Sequence, residues 1–250
     1  MALVKLLKWD SNFFGFNIAD VIPKTINDKK IVDILNYCKK NKVNLLQFRC
    51  NAHHKGSIRL AEQNKFHFVD NRMTFLKKIN QDEIQEYDTD NSINIRMAIE
   101  DDVPELENLV KKLYRESRYY FDKNFPNKNV SSFYRDWIIK SIKGKFDDMV
   151  WVICFNGEIV GCCSIAYKKG KNARIGLFGI KNDMSKRGFG KLLIRKVLFF
   201  LKNNNSKSVS VITQGRNYKA QRFYQSAGFY IDKIEIYYHL WWKKIIVNEK

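Results

Sequence analysis

The amino-acid sequence predicts an α/β fold in two parts, a smaller N-terminal unit and a larger C-terminal one. Three observations carry this reading. Apolar runs of strand length alternate with amphipathic stretches of helix length along the 250 residues. One polar, acid-rich stretch at 80–91, NQDEIQEYDTDN, interrupts the alternation and reads as a linker. The composition, 45% hydrophobic and 28% charged with 3 Pro and 12 Gly, excludes disordered and collagen-like classes. At roughly 150 residues per domain, the length fits one or two folded units.

In the first unit, residues 1–79, the chain opens extended, and an amphipathic helix is expected at 29–40. A strand at 44–50, a helix at 56–64 and a strand at 67–77 follow. The second unit, 92–250, begins with the alternating strand INIRMAI at 93–99. Glu100, Asp101, Asp102 and Pro104 then crowd the start of a helical pattern, where acids suit the helix dipole and proline costs no hydrogen bond. After an aromatic-rich loop a helix is expected at 131–142. The runs 150–155 and 158–167 flank Asn156-Gly157, a pair that favours the positive φ angles of a tight hairpin. The remaining expectations are strands at 173–180 and 208–213, helices at 191–202 and 218–227, and an aromatic strand at 229–242.

Forty-five Lys and Arg against 26 Asp and Glu leave a net charge of +19, which favours an anionic partner. Nucleic acid, an acidic membrane surface and small polyanions such as nucleotide sugars or coenzyme A all satisfy that charge. Because the basic residues are spread along the chain and no helix-turn-helix, zinc-finger or RNA-binding signature occurs, a nucleic-acid-binding protein is the less favoured class. Cys38, Cys50, Cys154, Cys162 and Cys163 are an odd, scattered set without C-x-x-C, so buried reduced thiols are expected rather than disulfides or zinc. His53, His54 and His67 show no metal-ligand spacing, and no metal is expected. No signal peptide and no apolar run of membrane-spanning length is found, which makes a cytoplasmic location the expectation.

The chemistry concentrates in the strand-loop-helix ARIGLFGI-KNDM-SKRGFGKLLIRK. Gly188 and Gly190 fall where a loop turns into a helix, allowing the backbone to approach a ligand. Free N–H groups at the helix start, with Lys186, Arg187 and Lys191 beside them, form a phosphate-binding arrangement. A flexible turn with a solvated basic face is the alternative reading of the same residues. Downstream, QGRNYKAQRFYQSAGF places Ala220, Phe223, Tyr224 and Ala227 at helical spacing, either as a plain amphipathic helix or as one that presents Tyr224 to a leaving group. Asn217 stands at the helix start, where Asn is a good cap.

In their order from Ile93 to Trp242, the strand LFGI, the turn SKRGFG and the segment NYKAQRFYQSAGF resemble the GNAT N-acyltransferase superfamily. The resemblance implies a central mixed sheet flanked by helices and an acyl-CoA co-substrate. It further implies a coenzyme site at Phe178, Gly179, Ile180, Lys186, Arg187, Gly188, Phe189, Gly190, Lys191, Asn217, Ala220 and Phe223. Ser185 stands where that superfamily usually has Gln or Arg, with Lys186 or Arg187 available to supply the cation. A narrower similarity covers nearly the whole chain through LKWDSNFFGFNIADV, ESRYYFD, YRDWIIKSIKGKFDD and YYHLWW. It is to the dTDP-amino-sugar N-acyltransferases of the dTDP-fucosamine type, which carry an extra N-terminal α/β domain.

That similarity implies transfer of an acetyl or 3-hydroxybutyryl group to the amine of a dTDP-3-amino- or dTDP-4-amino-dideoxyhexose for bacterial surface polysaccharide, lipopolysaccharide O-antigen among them. It makes Tyr224 the general acid and the backbone N–H groups of 178–180 the oxyanion donors. His239 is a candidate base, with a structural role as its alternative. In the loop 117–125, Arg118 is a candidate for the diphosphate, with Tyr119, Tyr120 and Phe121 candidates for stacking on the base, or else packing residues. A GNAT enzyme acting on a protein, polyamine or aminoglycoside amine is the rival within the superfamily. Aromatics in the last strand suggest a homodimer.

Overall fold

The computed structural model describes residues 2–80 and 90–242; most of the expected linker lies outside the described residues. In the first unit β1 (Val4–Leu6), α1 (Lys8–Phe14), β2 (Ile18–Val21), α2 (Asp28–Lys40), β3 (Leu45–Asn51), α3 (Lys55–Gln63) and β4 (His67–Lys78) follow one another. In the second come β5 (Ile93–Met97), α4 (Val103–Lys111), the one-turn α5 (Arg118–Phe121), α6 (Asn127–Ile142), β6 (Met149–Phe155), β7 (Glu158–Ala166) and β8 (Ala173–Ile180). α7 (Phe189–Asn203), β9 (Ser208–Gln214), α8 (Tyr218–Ser226) and β10 (Tyr230–Trp241) complete the described chain.

All ten strands join one mixed sheet in the order β1-β2-β3-β10-β4-β9-β8-β7-β6-β5. The pairs β2-β3 and β8-β9 are parallel and the other neighbours antiparallel. The sheet crosses the boundary between the two units, because β4 lies between β9 and β10 and pairs with both. Two apolar clusters fill one face. α2 and α3 cover the first strands through Ile31, Ile34, Cys38 and Ala61, and α7 covers the later ones through Leu193, Ile194, Val197 and Leu201. A third cluster under α1, α4 and α6 fills the other face, with Phe14, Leu106, Leu109, Phe133 and Ile138 at its centre.

The opening is not extended throughout, because α1 interrupts it. Its Trp9, Phe13 and Phe14 rings pack on Phe133 of α6 at centroid distances of 4.6, 5.4 and 5.5 Å. A tertiary aromatic contact of this kind overrides weak local propensity. The Asn156-Gly157 hairpin forms with φ of 49° and 85° at its two turn residues. β10 is an interior strand rather than an edge, so its Tyr237, Tyr238 and His239 pack inside the protein. The aromatic content of that strand therefore gives no argument for a dimer. All five cysteines are buried and unbridged. Among the described residues no helix is long and apolar enough to cross a membrane, and no group of His, Cys, Asp and Glu could hold a metal ion.

Candidate active site

The site originates in a parting of two strands. β8 and β9 pair only from Ala173–Ile175 against Val209–Val211, after which they diverge and leave one edge of β8 open. Leu177 N–H bonds to Ser164 Oγ at 2.8 Å and Lys181 N–H to the Val160 carbonyl at 2.8 Å, both toward β7. Strand alternation then turns the N–H groups of Phe178 and Ile180 toward the opening. A local irregularity in the β7-β8 register lies just before them, between Cys163 and Ile165.

Asp147 holds that irregular segment in place. Fully buried, it accepts from Trp137 Nε1 at 2.8 Å, Ser164 Oγ at 2.6 Å and Arg174 Nη2 at 2.6 Å. A side chain at Gly176 would collide with its carboxylate, so only glycine allows β8 to pass this close.

Two cavities open from the gap. The larger, about 630 Å³, is lined by Phe178, Gly179 and Ile180 of β8. Lys186, Gly188, Phe189, Gly190 and Lys191 at the start of α7, and Asn217, Ala220 and Phe223 at α8, complete its walls. Every residue expected to hold the coenzyme is thereby brought together except Arg187, which is exposed and outside the lining. Gly188 has φ 88° and Lys186 φ 66°, which folds the turn so that the first N–H groups of α7 have no intrahelical acceptor and are open to a ligand. A Cβ on Gly190 would stand 3.1 Å from Phe223 Cε2, and Phe223 stacks on Phe178 with ring centroids 4.9 Å apart. Strand, turn and α8 are therefore packed to contact. Asn217 is the α8 cap, accepting from the Ala220 N–H at 3.1 Å.

The second cavity, about 210 Å³, is lined about equally by polar and apolar surface and carries the charged groups. Asp70 and Arg72 of β4, Arg118 of α5, Tyr134 and Trp137 of α6, Arg174 of β8 and Tyr237 of β10 line it. Both cavities share Tyr114, Phe178, Gln214, Asn217, Ala220 and Tyr224. Tyr224 thus stands at their junction, its ring against those of Phe75, Phe178, Phe223 and Phe229. Burial pushes the Tyr224 phenol well above its ordinary range, so it keeps its proton.

Of the three arginines in the second cavity, Arg72 is held by Glu235 and Arg174 by Asp147. Arg118 forms no carboxylate ion pair among the described residues. It bonds to Tyr119 Oη at 2.6 Å, lies over the Tyr119 and Tyr237 rings, and has a buried Nε without a partner.

The other loop candidates are not brought to the cavity. Tyr119 is buried in the aromatic core against Phe14, Phe125 and Phe133 and donates to Asp10 at 3.0 Å. Tyr120 lines neither cavity, with Arg115 over its ring. Phe121 is exposed at a separate shallow pocket, under the Arg216 guanidinium.

His239 lines neither cavity, is fully buried, and shares Asp122 Oδ2 with Trp241 Nε1, at 2.6 and 2.9 Å. Burial holds the imidazole below its ordinary pKa against the pull of Asp122. Burial alone would raise Asp122, but the hydrogen bonds from His239 and Trp241 outweigh it and bring the carboxyl down to about 2. Sequence reading missed Asp70 and Arg72 of β4 and Tyr134 of α6, which belong to no local motif.

The acetyltransferase (GNAT) family profile matches residues 108–229, which contain the split strands, the glycine turn and Tyr224. This chain carries a GNAT acetyltransferase domain. Members of the family use an acyl-CoA as co-substrate.

The spore coat polysaccharide biosynthesis protein SpsD of Bacillus subtilis is 21% identical over 133 residues, 53% of this chain and 45% of that protein. The chain therefore matches less than half the length of that curated relative. A conserved protein of unknown function from Staphylococcus epidermidis shares the fold with a TM-score of 0.67 at 15% identity, covering 92% of this chain and 85% of that one. A GCN5-related N-acetyltransferase from Sphaerobacter thermophilus does so with a TM-score of 0.66 at 14% identity, covering 95% and 76%.

Proposed function

We propose that the protein transfers an acyl group, acetyl or 3-hydroxybutyryl, from acyl-CoA to the amine of a dTDP-3-amino- or dTDP-4-amino-dideoxyhexose destined for surface polysaccharide. The observation that carries the reading is the meeting of two unlike cavities at Tyr224, one lined by the glycine turn at the start of α7 and one carrying charged side chains, among them Arg118, which makes no carboxylate ion pair among the described residues. A guanidinium in that state is suited to a diphosphate, to which it presents a planar fork of donors. The polysaccharide role named for the Bacillus subtilis relative supports the same acceptor class.

In this reading the first turn of α7, with its Lys191 and with Lys186 of the preceding loop, holds the pyrophosphate of the coenzyme. The thioester carbonyl lies along the open edge of β8, where the Phe178 N–H meets the charge that grows on oxygen as the amine attacks. Tyr224 then protonates the departing sulfur. A thiol of pKa about 8.5 is a tolerable leaving group, and a phenol that has kept its proton assists it. The acceptor amine approaches from the second cavity, so donor and acceptor meet at the wall that the two cavities share.

A thiol-release assay tests the reading. Acetyl-CoA and 3-hydroxybutyryl-CoA are offered with dTDP-3-amino- and dTDP-4-amino-dideoxyhexoses, with spermine and a peptide amine as controls. Turnover on a nucleotide sugar is expected. Release with the peptide or polyamine alone would discard the sugar acceptor.

A further inference from the structure

We propose that Asp70, which β4 contributes from outside the matched residues 108–229, is the general base that removes a proton from the acceptor nitrogen. The inference rests on the acyl-transfer reading above. Asp70 is only 3% exposed yet lines the second cavity, whose wall includes Tyr224. It is the single carboxylate among the described residues that line that cavity. Neighbouring acids are committed elsewhere, Glu235 to Arg72 and Asp147 to Trp137, Ser164 and Arg174.

The position is set by backbone. Gly215 N–H bonds to the Asn71 carbonyl at 2.7 Å, and a Cβ on Gly215 would stand 2.8 Å from Asn71 Cβ. β4 is thus pinned against the end of β9, next to Gln214, which lines both cavities. The Asp70 carboxylate is not locked in a tight ion pair. Arg216 Nη2 is 3.6 Å from its Oδ1, and the same nitrogen donates to the Val69 carbonyl.

The charged and titratable groups facing Asp70 are Arg216 from the turn after β9, Arg118 from α5, Tyr134 from α6 and Tyr237 across the β10 pairing. Burial, opposed by Arg216, moves the carboxyl up to about 6. That leaves it ionised at neutral pH and more basic than an exposed carboxylate.

An acceptor amine reaches the enzyme mostly as an ammonium and must lose a proton before it can attack. Asp70 takes that proton and releases it to solvent. The N–C bond then forms as the C–S bond breaks. The nitrogen's second proton, lost as the amide forms, balances the one that Tyr224 gives to sulfur. No oxidant or reductant is involved.

The experiment compares the wild type with Asp70→Asn in thiol release from acetyl-CoA, from pH 5 to 9. One acceptor is a dTDP-4-amino-dideoxyhexose and the other its hydroxylamino analogue, whose nitrogen is neutral at pH 7. The expected loss on the amine is about 10²–10⁴-fold in kcat, with the wild-type limb near pH 6 abolished and acetyl-CoA affinity retained. The hydroxylamino acceptor recovers most of the lost rate. Equal loss on both acceptors, or an unchanged pH profile in an active variant, would overturn the assignment to Asp70 alone. A wild type that releases no thiol with any amine would overturn the acyl-transfer reading and this inference with it.

Discussion

The two cavities that meet at Tyr224 are built on opposite principles. The larger is lined mostly by residues of one stretch of chain between Phe178 and Tyr224, where glycines and a helix start expose N–H groups, with Leu113, Tyr114, Arg115 and Glu116 completing it. The smaller is made of side chains from β4, α5, α6, β8, β9 and β10, which come together only when the sheet closes. A ligand recognised through its phosphates can be held by local main chain, whereas a ligand recognised through its particular groups needs side chains gathered from across the fold. The GNAT match covers the first kind of site, and part of the second, including Asp70 and Arg72, lies outside it.

Variants on the two sides should separate donor from acceptor. The largest effect belongs to the shared wall, where Tyr224→Phe should lower kcat by about 10²–10⁴-fold and leave both KM values nearly unchanged, as steady-state kinetics would show. Unchanged kcat would remove Tyr224 from the chemistry. On the acceptor side, loss of a charged hydrogen bond costs about 1.5–3 kcal/mol, so Arg118→Met should raise the KM for the nucleotide sugar by about 10- to 100-fold. Its affinity for acetyl-CoA, read by calorimetry, should stay as it was.

Gly190→Val makes the reciprocal change. With Phe223 already 3.1 Å from the place of a Cβ, crowding should raise the KM for acyl-CoA about tenfold and spare the acceptor. A variant that moved both KM values together would mean that the two cavities are one site.

Smaller effects test the frame that holds the gap open. Ser164→Ala removes the acceptor of the Leu177 N–H and a donor to Asp147, both buried, and should cost about 1–3 kcal/mol in urea unfolding. The stability that the Asp122–His239 pair contributes should be lost only in acid. A carboxyl whose folded pKa is depressed contributes stability that is fully present above its unfolded value and is lost as the pH falls through about 2. Urea midpoints of the wild type should therefore fall more steeply between pH 4 and 2 than those of Asp122→Asn.

Where the signal was local, the sequence could be read. The Asn156-Gly157 turn, the start of α7 at Gly188 and the Asn217 cap each follow from residues adjacent in the chain. The placing of β4 between β9 and β10 was not legible, because strand pairing depends on partners more than a hundred residues away. The same cause hid Asp70, whose surroundings in sequence, Val69 and Asn71, carry no motif. His239 drew attention for its chemistry, yet the fold turns it away from both cavities and toward Asp122. α1 escaped notice because its aromatic residues gain their helix from contact with α6 rather than from periodicity.

The central claim is that donor and acceptor occupy separate cavities meeting at Tyr224. Its most direct test is the affinity of a bisubstrate compound in which the sulfur of coenzyme A is joined through a two-carbon bridge to the amine of a dTDP-4-amino-dideoxyhexose. Linking the two halves should lower its dissociation constant by roughly 10²–10⁴-fold relative to coenzyme A alone, and Arg118→Met should remove most of the gain. A bisubstrate that binds no better than coenzyme A would contradict the account.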